Sequence, residues 1–231
     1  DYYKKIKEIC ERNDILFIAD EVMTGFGRTG TMLACEHWDI VPDIVSLGKG
    51  MGAGYTPIAA ALVSDRVMEP ILQGSKVVMS GHTLSANPQS CAVSLAVIEY
   101  LEQHQLFQSV SGKSSYLFTK LRNLQKQFPF IGDIRGKGLL LGLEFVTDQK
   151  TKVPFPRQEI FTEKIIKLAA KNGLLLYPAG AGDNGIQGDS IILAPPLTIT
   201  MKEIDELIAS LTTTCQEMNE VISKGGSDVN G

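Results

Sequence analysis

No run of lysines and arginines, no closely spaced pair of cysteines and no unbroken apolar stretch of membrane-spanning length occurs in the 231 residues. Each absence removes a class of function. With 22 Lys and Arg against 26 Asp and Glu the net charge is −4, and without a basic stripe the electrostatic footprint of a nucleic-acid binder is missing. Without about 20 consecutive apolar residues there is no candidate membrane span, and no signal-peptide pattern opens the chain. Cys10, Cys35, Cys91 and Cys215 are scattered, with no C-x-x-C spacing. They read as four packed, reduced thiols of a cytoplasmic protein rather than as a disulfide framework or a metal site. What remains is small-molecule chemistry on a globular chain, whose 44% hydrophobic content is enough for a substantial core.

An initiator Met is also missing. The chain opens on Asp1-Tyr2-Tyr3-Lys4-Lys5 and runs at once into a helical pattern of Tyr3, Ile6, Ile9 and Cys10, so the expectation is a chain cut from something longer. Continuous apolar runs at 15–19, 43–47 and 58–63 predict strands covered on both faces, as in a parallel-rich α/β sheet. Pro88 begins a long helical pattern that reaches about 127, with a break at 104–108. The stretch 132–138, rich in glycine, reads as a turn leading into a strand at 139–146. A helix at 157–171 ends on Asn172-Gly173, strands follow at 174–177 and 190–193, and Thr200 caps a last helix with Glu203 at capping-box distance. The expected organisation is a large-domain segment over 1–103, a linking helix over 104–130, a small α+β domain over 131–222 and a flexible tail over 223–231.

One lysine stands out. In "IVSLGKGMGAGYTP", Lys49 follows an apolar run and lies within a cluster of four glycines. The segment Gly48 to Ala53 fits the dinucleotide pattern G-x-G-x-x-G/A, but Tyr55-Thr56-Pro57 and another strand-like run follow where a helix should open. A Walker-type loop fails as well, since no Ser or Thr follows the lysine. Two readings stand: a surface lysine in a flexible loop, or an amine desolvated at the mouth of a buried strand, which is suited to Schiff-base chemistry. Asp20 closes the preceding strand, and carboxyl ends of strands are where open α/β sheets hold ligands. It reads either as a cap of the following loop or as a buried carboxylate that needs a cationic partner, such as a cofactor's ring nitrogen. Glu21 and Arg28 read as a structural pair, His37-Trp38 as packing, Met51, Met79 and Met201 as fillers of irregular space, and Arg135 with Glu144 as a surface ion pair.

The segments "LFIADEVMTGFGRTGTMLACEH", "PDIVSLGKGMGAGYTPIAAALVS", "GHTLSANPQSCA" and "LAPPLTIT" resemble, in order, the motifs of class III pyridoxal-phosphate aminotransferases, the omega and acetylornithine type of fold type I. The resemblance runs from about residue 3 to 220. It implies a PLP-transferase fold of class α/β, here part of the large mixed-sheet domain plus a small C-terminal α+β domain. By resemblance Asp20 binds the pyridine nitrogen, Val22 packs on the ring face, Lys49 holds pyridoxal 5'-phosphate as an internal aldimine and moves the proton, and Thr83 binds the phosphate of a neighbouring subunit. That last role implies a homodimer with shared sites. The reaction implied is transfer of an amino group from an amine or amino acid donor to a keto acid or aldehyde acceptor. A PLP aminomutase, decarboxylase or racemase would use the same lysine. A half fold that binds no cofactor is the reading from another class.

Three things that the family pattern includes are missing. Its members are nearly twice as long, and their preceding half supplies the helix that holds the phosphate and the aromatic that stacks on the ring. Many also carry an arginine before the "APP" motif for a substrate carboxylate, whereas 178–193 contains none. The strands ending at Asp20, Lys49 and Asp65 are then expected to be internal to a sheet whose other members lie upstream. Residues 1–231 by themselves are expected to be poorly soluble or partly unfolded, with order surviving in the small domain from about residue 130, and to show no transaminase activity even with excess cofactor.

Overall fold

A computed structural model describes residues 1–183 and 187–224, the side chains of 181–183 excepted. The chain divides into two units, Asp1–Val110 and Ser111–Gly231. Most of the expected tail, 225–231, lies outside the described residues.

The first unit is built on a three-stranded mixed sheet. Strand β1 (Ile18–Asp20) pairs in parallel with β2 (Ile44–Leu47), with Asp20 opposite Ser46, and β2 pairs antiparallel with β3 (Ala60–Val63). The antiparallel step from β2 to β3 needs no crossover helix, which disposes of the dinucleotide reading. Helix α1 (Tyr2–Arg12) precedes β1. Val45 and Leu47 on the central strand are buried, but Ile18 is 61% and Leu62 52% exposed. Coverage on both faces is not seen within these residues: burial is confined to Val45 and Leu47 of the central β2, and Ile18, Leu62 and Val63 of the outer strands are left exposed, as expected of strands that belong to a larger sheet.

Asp43 organises the far edge of this sheet. Its carboxylate accepts the Phe17 N–H at 2.8 Å and pairs with Arg66 at 3.2 Å and Lys7 at 3.5 Å. One buried acid therefore joins α1, the entry to β1 and the helix after β3. That helix, α2 (Asp65–Gln73), was hidden in the sequence by Pro70 inside it, since an interior proline removes a helical hydrogen bond. Helix α3 (Pro88–Gln103) starts as its sequence suggests, with Asn87 as cap and proline in the first turn. The break lies at His104-Gln105, and α4 (Leu106–Gln127) follows, with the division between the units falling inside it.

The second unit is a four-stranded antiparallel sheet in the order β4-β5-β7-β6, with β4 Ile131–Lys137, β5 Leu140–Phe145, β6 Tyr177–Asp183 and β7 Gln187–Leu193. The stretch 132–138, expected to be a turn, is mostly strand. Its glycines mark close approach instead: a Cβ on Gly132 would lie 2.6 Å from Val146, and one on Gly136, at φ 145°, would lie 2.2 Å from the Leu140 carbonyl. The strand expected at 174–177 begins only at Tyr177. The helix expected at 157–171 is a short 3-10 turn (Arg157–Glu159), then Ile160 at φ 44°, then α5 (Phe161–Lys171). Asp189 on β7 caps α5, accepting the Thr162 amide at 2.9 Å and its hydroxyl at 2.7 Å.

Its core is aliphatic and aromatic: Leu117, Leu121 and Leu124 of α4, Leu141, Leu143 and Phe145 of β5, and Phe161 and Ile165 of α5 are at most 1% exposed. The last helix, α6 (Met201–Ser223), has the expected capping box between Thr200 and Glu203. Asn172 and Gly173, the latter at φ 77°, end α5 as anticipated. Arg135 pairs with Glu144 and Asp133 at the surface, also as expected. Met79, 95% exposed, and Met201, 46% exposed, fill no gap. Among the described residues no helix is long and apolar enough to cross a membrane, and all four cysteines are free, Cys91 being exposed and not packed.

Candidate active site

Parallel pairing brings two strand ends to the same edge of the first sheet. Asp20 is the last residue of β1, opposite Ser46, and Lys49 comes three residues after Ser46. The Glu21 N–H donates to the Ser46 carbonyl at 3.0 Å and extends the pairing one step beyond Asp20. The chain then leaves β2 through Gly48, and a 3-10 turn (Lys49–Met51) begins with Lys49 at φ 40°. A left-handed backbone is uncommon for lysine and marks a position held by its surroundings. Those surroundings are tight: a Cβ on Gly52 would lie 2.5 Å from the Thr56 carbonyl oxygen. Thr56 in turn shares a 2.9 Å hydrogen bond with Ser90 of α3. This hydroxyl pair was not anticipated, since nothing in the sequence links positions 34 residues apart.

Two expectations about burial are corrected. Lys49 is exposed and so is Asp20. The desolvated amine and the buried carboxylate are not features of these residues alone. Asp20 does act as a local cap: one carboxylate oxygen accepts the Val22 N–H at 3.0 Å. Among the described residues the other oxygen carries no hydrogen bond. Val22 packs beside the exit of β2, since a Cβ on Gly48 would stand 3.5 Å from its side chain.

The loop after Val22 is anchored by Glu21, which is 3% exposed. Its carboxylate accepts the Cys35 N–H at 2.8 Å and the Thr24 hydroxyl, while its carbonyl accepts the Gly25 N–H at 2.9 Å. Burial, followed by the charge of Glu21, pushes the Cys35 thiol up to about 11. Burial also pushes the Arg28 guanidinium below its ordinary value. His37 faces inward within the loop, its Nε2 3.1 Å from the Thr29 carbonyl, and Trp38 packs on Tyr3 with ring centroids 4.5 Å apart. Both are packing residues, as their sequence context suggested.

Thr83 is placed by another element, the exposed turn between α2 and α3, where the Ser85 N–H donates to the His82 carbonyl at 2.9 Å. The pairing therefore gathers Asp20, Val22 and Lys49, and Thr83 stands outside that group.

An amine and a carboxylate on adjacent strand ends, with an apolar side chain packed beside one of them, suit a ligand carrying an aldehyde and a basic aromatic nitrogen. Comparison with known proteins shows the family. The sequence model of the family Aminotransferase class-III matches residues 1–215. The uncharacterized aminotransferase YodT of Bacillus subtilis is 52% identical over 223 residues, which cover 96% of this chain and 50% of that protein. Among solved structures, a transaminase from the marine bacterium Virgibacillus superposes with a TM-score of 0.90 at 31% identity, covering 96% of this chain and 49% of its own. An amine transaminase from an uncultivated Pseudomonas species, solved in a PLP-bound form, gives 0.87 at 36% identity, with coverage of 94% and 48%. The chain thus spans about half the length of the relatives it matches, and its fold is that of part of the fold type I transaminases.

Proposed function

The chain belongs to the class III aminotransferase family, and from that membership we propose that the whole protein moves an amino group from an amine or amino acid to a keto acid or aldehyde, with pyridoxal 5'-phosphate as cofactor. The observation that carries this reading is the placement of Asp20 and Lys49 on the ends of two parallel neighbours, one strand apart.

The cofactor, when bound, supplies an electron sink for the charge left on the donor carbon. Asp20, through the oxygen not used by Val22, keeps a proton on the ring nitrogen. Val22 offers an apolar surface to one ring face. Lys49 Nζ would hold the cofactor through its aldehyde carbon and would take the proton from the donor's amine-bearing carbon. Thr83 binds the phosphate across a subunit boundary, so the active protein is a homodimer. The four free cysteines support a reducing, cytoplasmic location.

Residues 1–231 by themselves do not turn over. The exposure of Ile18, Leu62 and Val63 on the sheet that carries the site supports this, since uncovered apolar strands favour association over ordered binding. The test of function is double turnover by the whole protein with separate donor and acceptor. Ping-pong kinetics and release of the donor's carbonyl product are expected; reaction of the donor alone to a rearranged, decarboxylated or racemised product would contradict transamination.

A further inference from the structure

The turn that carries Thr83 is closed by the residues around it. The Ser85 N–H donates to the His82 carbonyl at 2.9 Å, the His82 N–H donates to Ser85 Oγ at 3.0 Å, and the Leu84 N–H donates to His82 Nδ1 at 3.2 Å. In that last bond a side-chain atom accepts the amide two residues on. This is the connectivity of an Asx turn, with an imidazole nitrogen in place of the asparagine oxygen. An imidazole accepts there only with Nδ1 unprotonated and its N–H on Nε2.

Within this chain every residue from Leu72 to Ala86 is exposed, and the hydrogen bonds above, with the Asn87 N–H donating to the Leu84 carbonyl at 3.3 Å, set the backbone on either side of Thr83. Downstream the chain is fixed again where the Ser90 N–H donates to Asn87 Oδ1 at 3.2 Å.

Resting on the reading of Thr83 as a phosphate ligand, we infer that His82 is a positioning residue for cofactor binding: by accepting the Leu84 amide, its Nδ1 fixes the turn that offers Thr83 to a phosphate. The dependence is on an acceptor at that point and not on an imidazole. Asparagine at position 82 preserves the turn, and alanine releases it.

The test is binding to the whole protein stripped of cofactor, titrated separately with pyridoxal 5'-phosphate and with pyridoxal, which lacks the phosphate, and followed by visible absorbance. His82→Ala raises the Kd for the phosphorylated ligand by about three- to tenfold, the worth of one hydrogen bond, and leaves that for pyridoxal unchanged. His82→Asn stays within about twofold of the wild type, since its oxygen can make the same bond. Equal weakening for both ligands, no weakening at all, or no recovery in His82→Asn overturns the inference. Thr83→Val separates it from its premise. If Thr83→Val weakens only the phosphorylated ligand while His82→Ala does not, the inference alone falls; if Thr83→Val leaves both Kd values unchanged, the assignment of Thr83 falls and takes the inference with it.

Discussion

Gly50 sits against Phe26 so closely that a Cβ on the glycine would lie 2.9 Å from the Phe26 Cβ. The turn that begins at Lys49 and the loop that follows Asp20 and Val22 are therefore interlocked, and the contact atom is bonded directly to the backbone. Rotation of the Phe26 ring cannot relieve an added methyl. Phe26 is itself 6% exposed, at φ 54°, with its N–H donated to the Met32 carbonyl at 2.7 Å. Gly50→Ala should cost about 1–3 kcal/mol, the usual range for overpacking, read from denaturant unfolding of the whole protein. Unchanged stability would mean that the two loops are independent.

Asp20→Asn separates the two jobs of this residue. The amide oxygen can still accept the Val22 N–H, which now spans 3.0 Å, so the loop keeps its cap while the negative charge is gone. Turnover should fall by roughly a hundredfold, the scale seen when one preorganised electrostatic partner is removed, with little change in melting temperature. A near-normal rate would reduce Asp20 to a cap.

Asp43 predicts a pH dependence far from the chemistry. The Phe17 amide holds its carboxyl below the usual carboxylate value, and Lys7 and Arg66 add to this. A depressed pKa in the folded state stabilises the fold above the unfolded value, and that contribution is lost as pH falls through the lowered value. Asp43→Asn should therefore melt below the wild type at neutral pH. The gap should narrow as the pH is taken down through the acidic range and the wild-type carboxylate is protonated. A gap independent of pH would assign the loss to shape and not to charge.

Much of the site is legible in the residue order because strand ends and glycines are local features. Asp20 closes an apolar run and Lys49 follows another, and parallel pairing of two such runs needs only that they be neighbours. The exposure of Asp20 and Lys49 was not legible, since burial depends on what covers the strand ends and not on the strands themselves. The glycines at 132 and 136 misled for a physical reason: glycine marks close approach as readily as a turn, and only Val146 and Leu140 across the hairpin distinguish the two. The reach of Asp43 to Lys7 and Arg66 is likewise invisible in sequence, because its partners come from helices on either side in the chain.

The central claim is that Lys49 is the covalent anchor of the cofactor. Borohydride reduction of the whole protein with pyridoxal 5'-phosphate, followed by peptide mapping, tests it directly. The account predicts a single reduced adduct on the peptide containing Lys49, lost in Lys49→Ala. An adduct on Lys76 or Lys137 in the wild type, with Lys49 unmodified, would contradict it.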